Sequence, residues 1–159
     1  MATATPMFIA DPALGRLATW LRLLGYDTVY SGGASETQLI RQAAAEGRIL
    51  LTRNTRLIRR RALPPHLLVA SDDFRVQLRQ VVDAYGLRTA PGLLVRCARC
   101  NTPTEHIDRQ AACAEVPAYV FDTQAAFARC PSCRRIYWRA THVARIRREL
   151  ERIGLTAVG

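Results

Sequence analysis

The sequence predicts an α/β protein: a parallel β-sheet with flanking helices, followed by a small β module that carries cysteines and by a C-terminal helix. Two observations support this class. Up to residue 88, short apolar runs alternate with amphipathic helical segments, a pattern typical of a parallel sheet covered by helices on both faces. After Ala90-Pro91-Gly92, cysteine pairs and short β-like runs replace the helices. We therefore place a domain boundary near residues 88–92.

The first part is predicted to alternate strand and helix four times. Its strands are predicted at residues 7–10, 27–30, 49–51 and 67–70, where short apolar runs occur. Its helices are predicted at residues 14–24, 35–47, 55–61 and 74–85. Ser35 and Gln38 form a Ser-x-x-Gln capping box at the start of the second helix. Glycines at positions 25, 47 and 86 are suitable helix ends, and the arginine-rich helix at 55–61 is stopped by Pro64-Pro65.

The second part is predicted to contain a β module and one more helix. Short β-like runs at residues 93–96 and 135–138 flank the two cysteine pairs. A helix at residues 141–153 has Val143, Ile146, Leu150 and Ile153 on one face and arginines elsewhere. The predicted domains are therefore residues 7–88, residues 92–140 and the basic amphipathic helix 141–153.

Two Cys-x-x-Cys pairs predict a structural zinc site. Their ligands are Cys97, Cys100, Cys130 and Cys133, and residues 101–129 separate the pairs. Each pair forms a tight knuckle, and two knuckles complete the tetrahedral S4 shell that zinc prefers. With β-like runs on both sides, this is the organisation of a zinc ribbon. Four thiolates leave no open position for water, so the zinc is expected to be structural.

Redox pairs and a disulfide framework fit the cysteines less well than zinc does. Thioredoxin-type redox pairs lack the expected flanking sequence, and a disulfide framework lacks support because no export signal is recognised at residues 1–6. Cys113 has no partner spacing and is expected to be a buried or indifferent thiol. His106 is a conceivable ligand, but four cysteines already fill the shell.

The net charge indicates a polyanionic partner. Lys+Arg number 23 against 13 Asp+Glu, which gives +10, and every basic residue is arginine. Residues 1–90 carry 12 Arg and 7 acids, and the remainder 11 Arg and 6 acids, so each part is +5. A GC-rich coding bias would explain the choice of arginine but not the charge. Guanidinium groups pair well with phosphates, so a nucleic acid is the simplest expected partner.

Membrane insertion and export are not expected. No stretch of 18 apolar residues occurs, and residues 1–6 do not resemble a secretory signal. We expect a cytoplasmic location, and protein partners are left open.

Acidic and amide side chains at the predicted strand ends form a candidate metal site. They are Asp11, Glu36, Asn54, Asp72 and Asp73. Ligands of parallel sheets bind beyond the carboxyl ends of the strands, and carboxylates there can hold Mg²⁺ or Mn²⁺ for phosphodiester hydrolysis. From spacing alone the pattern has simpler causes. Asp11 suits a turn, Glu36 suits the first turn of a helix, and Asp72 and Asp73 are ordinary N-caps.

The sequence as a whole resembles the Mut-seven C-terminal RNase domain family, which has a PIN-like ribonuclease fold followed by a zinc ribbon. The resemblance covers roughly residues 7–153. The opening motif, residues 11–28, is Asp-Pro-Ala-Leu-Gly-Arg-Leu-Ala-Thr-Trp-Leu-Arg-Leu-Leu-Gly-Tyr-Asp-Thr. The second block is Glu-Gly-Arg-Ile-Leu-Leu-Thr-Arg at residues 46–53. The ribbon motifs lie at residues 97–101, 130–133 and 137–142.

The resemblance implies metal-dependent RNA cleavage by PIN-type acids in a PIN-like domain. Asp11 matches the first acid and Glu36 the second. The third acid follows Leu-Thr-Arg in the family, and here that position is Asn54, which lowers the negative charge of the site. Asp72 or Asp73 is expected to compensate.

Two functional hypotheses follow from these matches. In the first, the chain is a Mg²⁺- or Mn²⁺-dependent ribonuclease, and Arg16 and Arg53 neutralise the scissile phosphate. In the second, it is a catalytically weakened protein that binds single-stranded RNA through the ribbon and the C-terminal helix. Solvated surface charge remains the alternative for Arg16 and Arg53. Packing in the ribbon core is favoured over base contact for Tyr137 and Trp138.

Overall fold

A computed structural model describes residues 4–87 and 92–155 of the chain. It confirms the predicted α/β class. The described residues fall into two compact units, one within residues 4–22 and 26–87, the other within residues 23–25 and 92–155.

The first unit is built on a four-stranded parallel sheet. Its strands are β1 (Phe8–Ala10), β2 (Thr28–Tyr30), β3 (Ile49–Thr52) and β4 (His66–Leu68). Their order across the sheet is β2-β1-β3-β4, and every neighbouring pair is parallel. All three residues of β1 are buried, as expected for a central strand covered on both faces. The carboxyl ends of β1 and β3 therefore lie side by side.

The helices of the first unit are α1 (Gly15–Leu23), α2 (Glu36–Glu46) and α3 (Phe74–Tyr85). The capping box of Ser35 and Gln38 is present, with both reciprocal hydrogen bonds formed. Gly47 (φ 64°) and Gly86 (φ 57°) end α2 and α3 in the left-handed conformation that glycine adopts without steric cost. These helix ends are confirmed.

Two predictions for the first unit differ from the structure. The helix expected at 55–61 is only a 3₁₀ turn, Leu57–Arg59, because the backbone is already extended at Arg60 and left-handed at Ala62. Another 3₁₀ turn, Pro12–Leu14, precedes α1 and is capped by Asp11. The prediction that the fourth strand ends at residue 70 was wrong: β4 ends at Leu68, so Asp72 follows the strand by four residues.

The core of the first unit fixes the loops that carry the polar side chains. Ile9, Leu39, Ala43, Leu50 and Leu57 form one buried cluster. Full burial of a side chain such as Leu57 stabilises the fold by roughly 1.5–3 kcal/mol. Since Leu57 belongs to the 3₁₀ turn after β3, this burial also holds that turn against the sheet.

The second unit contains a three-stranded antiparallel sheet with the order β5-β6-β7. Its strands are β5 (Glu105–Ile107), β6 (Phe127–Arg129) and β7 (Ile136–Trp138). Its helices are α4 (Arg109–Ala112), α5 (Ala118–Thr123) and α6 (Arg139–Arg152). Strand β7 and helix α6 match the predicted run at 135–138 and the predicted C-terminal helix, which begins two residues earlier than expected.

The run predicted at residues 93–96 is not a strand. Arg96 makes only an isolated antiparallel bridge to Pro103, because the chain turns at once into the first cysteine pair. One buried cluster of this unit is Ala112, Val120 and Phe127, with Trp138 packed against it. The expected packing role of Trp138 is confirmed, and Tyr137 is also buried. Among the described residues, no helix has the length and apolar character needed to cross a bilayer.

Candidate functional site

Asp11 links the ends of the two central strands. It directly follows β1, and its own N–H donates to the carbonyl of Leu51 in β3 (3.0 Å). Its carboxylate accepts three hydrogen bonds: Oδ1 from the Ala13 N–H (2.9 Å), and Oδ2 from the Thr52 hydroxyl (2.6 Å) and the Arg53 N–H (2.8 Å). The residue is only 6% exposed. Asp11 is therefore a buried carboxylate in a fixed orientation, with acceptor capacity left on Oδ1.

Glu36 and Asn54 meet at the same edge of the sheet. Glu36 is the first residue of α2, and Asn54 lies two residues beyond β3. The side-chain amide of Asn54 donates to Glu36 Oε1 at 2.5 Å. The guanidinium of Arg60 lies 2.8 Å from Glu36 Oε2. Both carboxylate oxygens of Glu36 are therefore paired, one with a neutral donor and one with a cation.

The carbonyl oxygen of Asn54 is turned away from Glu36. It accepts from the N–H groups of Arg56 (2.9 Å) and Leu57 (3.3 Å) and so caps the 3₁₀ turn that follows. The N–H of Asn54 donates to the hydroxyl of Thr52 (3.0 Å). An unbroken set of hydrogen bonds thus runs from Asp11 through Thr52 and Asn54 to Glu36.

Asp72 and Asp73 are exposed and stand apart from this network. Asp73 caps α3 by accepting the Arg75 N–H at 2.9 Å. Within residues 4–87 and 92–155, no hydrogen bond or ion pair joins Asp72 or Asp73 to Asp11, Glu36 or Asn54.

The two arginines considered as phosphate ligands have different surroundings. The Arg16 guanidinium lies 3.8 Å from the centre of the Phe74 ring, a cation–π contact. The indole ring of Trp20 stacks on that same ring, with centroids 5.8 Å apart. Arg53 binds Asp11 through its backbone, and its side chain is exposed.

Arg60 is a site residue that the sequence pattern did not reveal. It lies in the arginine-rich run after β3, and the only sequence signal is that run itself. Nothing in the sequence distinguishes Arg60 from its neighbours, because its pairing with Glu36 depends on how the turn folds back towards α2.

The four paired cysteines form a compact cluster. The Sγ atoms of Cys97, Cys100, Cys130 and Cys133 all lie within 4.8 Å of one another. Cys97 Sγ is 3.7 Å from Cys133 Sγ, close to the edge of about 3.8 Å that a tetrahedron with 2.3 Å Zn–S bonds would have. The cluster could therefore hold a structural metal ion such as zinc.

The two halves of the cysteine cluster share one backbone geometry. The N–H of Cys97 donates to the carbonyl of Thr102, and the N–H of Cys130 donates to that of Arg135, both at 2.9 Å. In each half, the residue directly after the second cysteine has positive φ: Asn101 at 66° and Arg134 at 65°. Each cysteine pair is therefore a tight turn that directs two sulfurs to one side.

Tyr137 holds Cys97 in a form suited to metal binding. Its hydroxyl lies 3.1 Å from Cys97 Sγ and accepts the N–H of Ala98 at 3.1 Å. Burial opposes the thiolate of Cys97, but hydrogen bonds from Tyr137 and from the N–H groups of Cys100 and Arg99 outweigh it and lower the pKa of Cys97 to about 7. A thiol must lose its proton to bind zinc, so this environment favours the ligand form.

Cys113 and His106 lie outside the cysteine cluster. Cys113 is exposed and lies directly after α4. The expectation of a buried thiol is therefore wrong, and that of an indifferent thiol remains. His106 is exposed in β5, and four cysteines complete the set of sulfurs without it.

The fold and these sites define a class of protein: a parallel α/β domain with polar side chains at its strand ends, joined in one chain to a four-cysteine ribbon. Comparison with family models identifies the family. The model of the Mut7-C RNAse domain matches residues 6–150, and the chain belongs to that family. Neither the comparison with curated proteins nor that with solved structures found a match. Family membership suggests a ribonuclease-type function and RNA as substrate or partner.

Proposed function

We propose that the chain is a metal-dependent ribonuclease that hydrolyses phosphodiester bonds of single-stranded RNA. The observation that carries this proposal is the hydrogen-bonded path from Asp11 through Thr52 and Asn54 to Glu36. It ties the two proposed acids together at the carboxyl ends of β1 and β3, where parallel sheets bind their ligands. Family membership supplies the reaction class.

The donor set suits a hard divalent cation. Mg²⁺ and Mn²⁺ favour carboxylate oxygens, and Mg²⁺ is often held by one or two carboxylates while it keeps several waters. Asp11 and Glu36 supply two carboxylates, each with spare acceptor capacity. Among the His, Cys, Asp and Glu side chains of residues 4–87 and 92–155, the four cysteines alone come together in a group of three or more, so Asp11 and Glu36 have no third acid beside them. The acids therefore fit one hydrated ion better than a two-metal cage.

In the proposed site, Asp11 and Glu36 would hold a Mg²⁺ or Mn²⁺ ion. When bound, such an ion lowers the pKa of water and stabilises charge on the phosphate. Asn54 fixes the rotamer of Glu36 through its amide nitrogen, and Thr52 fixes that of Asp11. Arg53 directly follows β3, and Arg16 is the second residue of α1, close in sequence to Asp11. Their guanidinium groups are proposed to bind the phosphate to be cleaved.

Asn54 makes this proposed site weaker than one with three acids. An amide contributes a dipole but no net charge, so it lowers the cost of dehydrating a cation less than a carboxylate does. Arg60 lowers the negative charge further. We therefore expect slow cleavage that responds better to Mn²⁺ than to Mg²⁺, since Mn²⁺ tolerates less regular shells. Asp72 is the better candidate for a compensating acid, because Asp73 is committed to the cap of α3.

The ribbon has a structural role in this proposal. Cys97, Cys100, Cys130 and Cys133 would bind one Zn²⁺ and fix the turns around them. Thiolate ligands persist in a reducing compartment, so this proposal places the protein in the cytoplasm.

A second candidate function is RNA binding with little or no catalysis. It is favoured by one observation: both oxygens of Glu36 and the carbonyl oxygen of Asn54 already have partners in the protein. In that case Asn54 and Arg60 would replace the metal as a permanent polar network, and the arginines would supply affinity for phosphate.

Cleavage of a labelled single-stranded RNA tests the proposal. The parent protein should cleave with Mn²⁺, more slowly with Mg²⁺, and not with EDTA. Asp11→Asn should abolish the activity while zinc content and helix content stay unchanged. If Asp11→Asn cleaves as fast as the parent, Asp11 is structural and the activity comes from a contaminant.

A further inference from the structure

The nine residues that follow β3 carry five arginines. They are Arg53, Arg56, Arg59, Arg60 and Arg61, and all five are exposed. We refer to residues 53–61 as the arginine segment. It contains no acidic and no aromatic residue. Of the five guanidinium groups, only that of Arg60 forms an ion pair within the described part of the chain, and its partner is Glu36.

The arginine segment is held in a fixed shape. Asn54 caps its 3₁₀ turn through two hydrogen bonds. Leu57 is buried in the core of the first unit, with only 1% of its surface exposed. Ala62, directly after the segment, has φ 57°, in the left-handed region that few residues other than glycine adopt. The backbone is therefore anchored, while the side chains of Arg53, Arg56, Arg59 and Arg61 are exposed to solvent.

We propose that the arginine segment binds the sugar–phosphate backbone of single-stranded RNA and directs it to the acidic site, by which we mean the proposed metal site at Asp11 and Glu36. This rests on the proposed function, because it takes RNA as the substrate. Guanidinium groups pair with phosphate through two parallel hydrogen bonds. With no aromatic residue available for base stacking, the segment is suited to sequence-independent contact with the backbone.

Arg60 gives the arginine segment a direct link to the acidic site. Its guanidinium already bridges to Glu36 Oε2 and to the hydroxyl of Thr37. A phosphate bound by the segment would therefore lie next to the carboxylate that we propose as a metal ligand. Helix α6 is also rich in arginine, but Glu149 and Glu151 lie among its arginines, and Arg152 pairs with Glu149. The positive electrostatic potential of α6 is therefore weaker than that of the arginine segment.

The test compares two triple variants of equal charge. The first is Arg56→Gln/Arg59→Gln/Arg61→Gln, which leaves Arg53 and Arg60 intact. The matched control is Arg145→Gln/Arg147→Gln/Arg148→Gln, which removes three exposed arginines from α6. Binding of labelled 12-nucleotide oligo(U) and oligo(A) is measured by fluorescence anisotropy in EDTA, so that no RNA is cleaved. Circular dichroism and zinc analysis check the fold of each variant.

The first variant should bind RNA at least about tenfold more weakly than the parent. Its log–log salt slope should be shallower by about 2, since each lost phosphate contact contributes roughly 0.7. The control should lose less than about threefold, through its net charge alone. Oligo(U) and oligo(A) should be affected alike, because the contacts are to the backbone.

Three outcomes would overturn the inference. The first is equal losses in the two variants, which would indicate diffuse attraction. The second is a larger loss of RNA affinity in the control, which would place the main RNA contacts on α6. The third is binding of poly-glutamate as tight as binding of RNA, which would favour an acidic protein partner.

The inference and the proposed nuclease can fail separately. If the parent cleaves RNA but the first variant binds as the parent does, the inference is overturned and the nuclease stands. If neither the parent nor Asn54→Asp cleaves RNA but the first variant binds weakly, the nuclease proposal fails and the inference is supported.

Discussion

Asn54 donates its side-chain amide to Glu36 Oε1 at 2.5 Å, while its carbonyl oxygen caps the turn that contains Leu57. The position that the family resemblance assigns to a third acid therefore has two structural tasks here. It orients the second acid, and it shapes the arginine segment. An aspartate could still cap the turn, but it could not donate to Glu36 without a proton. We therefore expect Asn54 to limit the activity of the proposed site.

Removal of the Arg60 guanidinium should strengthen metal binding by Glu36. In Arg60→Gln, Mn²⁺ affinity measured by electron paramagnetic resonance titration should rise by about three- to tenfold, because a cation next to the ligand carboxylate is lost. Stability should change by less than about 1 kcal/mol, since the pair is half exposed. Arg61→Gln removes the same charge from the neighbouring position and is the control. Equal affinities in the two variants would show that Arg60 does not compete with the metal.

The cysteine cluster should contain one zinc ion per chain. Metal analysis of purified protein should find about one equivalent, and a strong chelator should lower the melting temperature, because metal binding and folding are coupled in such modules. Cys97→Ser should lose the metal and unfold the ribbon while the helices of the first unit remain. Cys113→Ser is the matched control, because Cys113 is exposed and lies outside the cluster. Purified protein without zinc and with disulfides between these cysteines would contradict the assignment.

Arg134 should be replaceable by glycine with a gain in stability. Arg134 has φ 65°, and a left-handed conformation costs a residue with a Cβ roughly 1–2 kcal/mol. Part of that gain is lost to the greater freedom of glycine in the unfolded chain, so Arg134→Gly should stabilise by about 1 kcal/mol. Asn101→Gly, at the equivalent position in the other turn, should change stability little, because asparagine tolerates this region well. Thermal unfolding of the zinc-loaded variants measures both, and a destabilised Arg134→Gly would refute the expectation.

His142 should make stability depend on pH. Burial lowers the pKa of His142 below its ordinary value of 6.5, and the charges of Arg135 and Arg145 add to this, while a backbone hydrogen bond at Trp138 opposes it. At pH values around 6.5 and below, the imidazole of His142 is therefore protonated to a greater extent in the unfolded chain than in the folded chain. The contribution of neutral His142 to the free energy of unfolding is fully present above pH 6.5. It is lost as the pH falls towards the lowered pKa, at up to about 1.4 kcal/mol per pH unit.

The pH dependence is tested by thermal unfolding between pH 7.5 and 5.5, with zinc content checked at each pH. The melting temperature of the parent should fall below pH 6.5, and His142→Gln should show a shallower dependence. If the two curves run parallel, His142 is not the group responsible.

The fold of the first unit could be predicted because its signals are local. The strands are short apolar runs, and the box of Ser35 and Gln38 and the glycines at 47 and 86 mark helix ends within a few residues. The second unit was harder. Helices α4 and α5 have four and six residues, too few for a helical period to show. Strands β5 and β6 have three residues each and are stabilised by pairing across the sheet.

The clustering of the four cysteines could be predicted because sequence spacing alone fixes the geometry of a Cys-x-x-Cys turn. The surroundings of Glu36 could not. Its contacts with Asn54 and Arg60 join residues 18 and 24 positions away, and they depend on where the turn after β3 is anchored. The sequence indicated that Asn54 lowers the charge of the site, but not that its two polar atoms face different partners.

The central claim is that Asp11, Glu36 and position 54 form the site of RNA hydrolysis. The most direct measurement is the single-turnover rate of cleavage of a labelled single-stranded RNA in Mn²⁺ by the parent, by Asn54→Asp and by the double variant Asp11→Asn/Asn54→Asp. A third carboxylate raises metal affinity and water activation, so Asn54→Asp should cleave at least about tenfold faster than the parent, and the double variant should be inactive. A double variant that cleaves as fast as Asn54→Asp, or an Asn54→Asp protein that binds RNA and zinc normally but cleaves nothing, would contradict the claim.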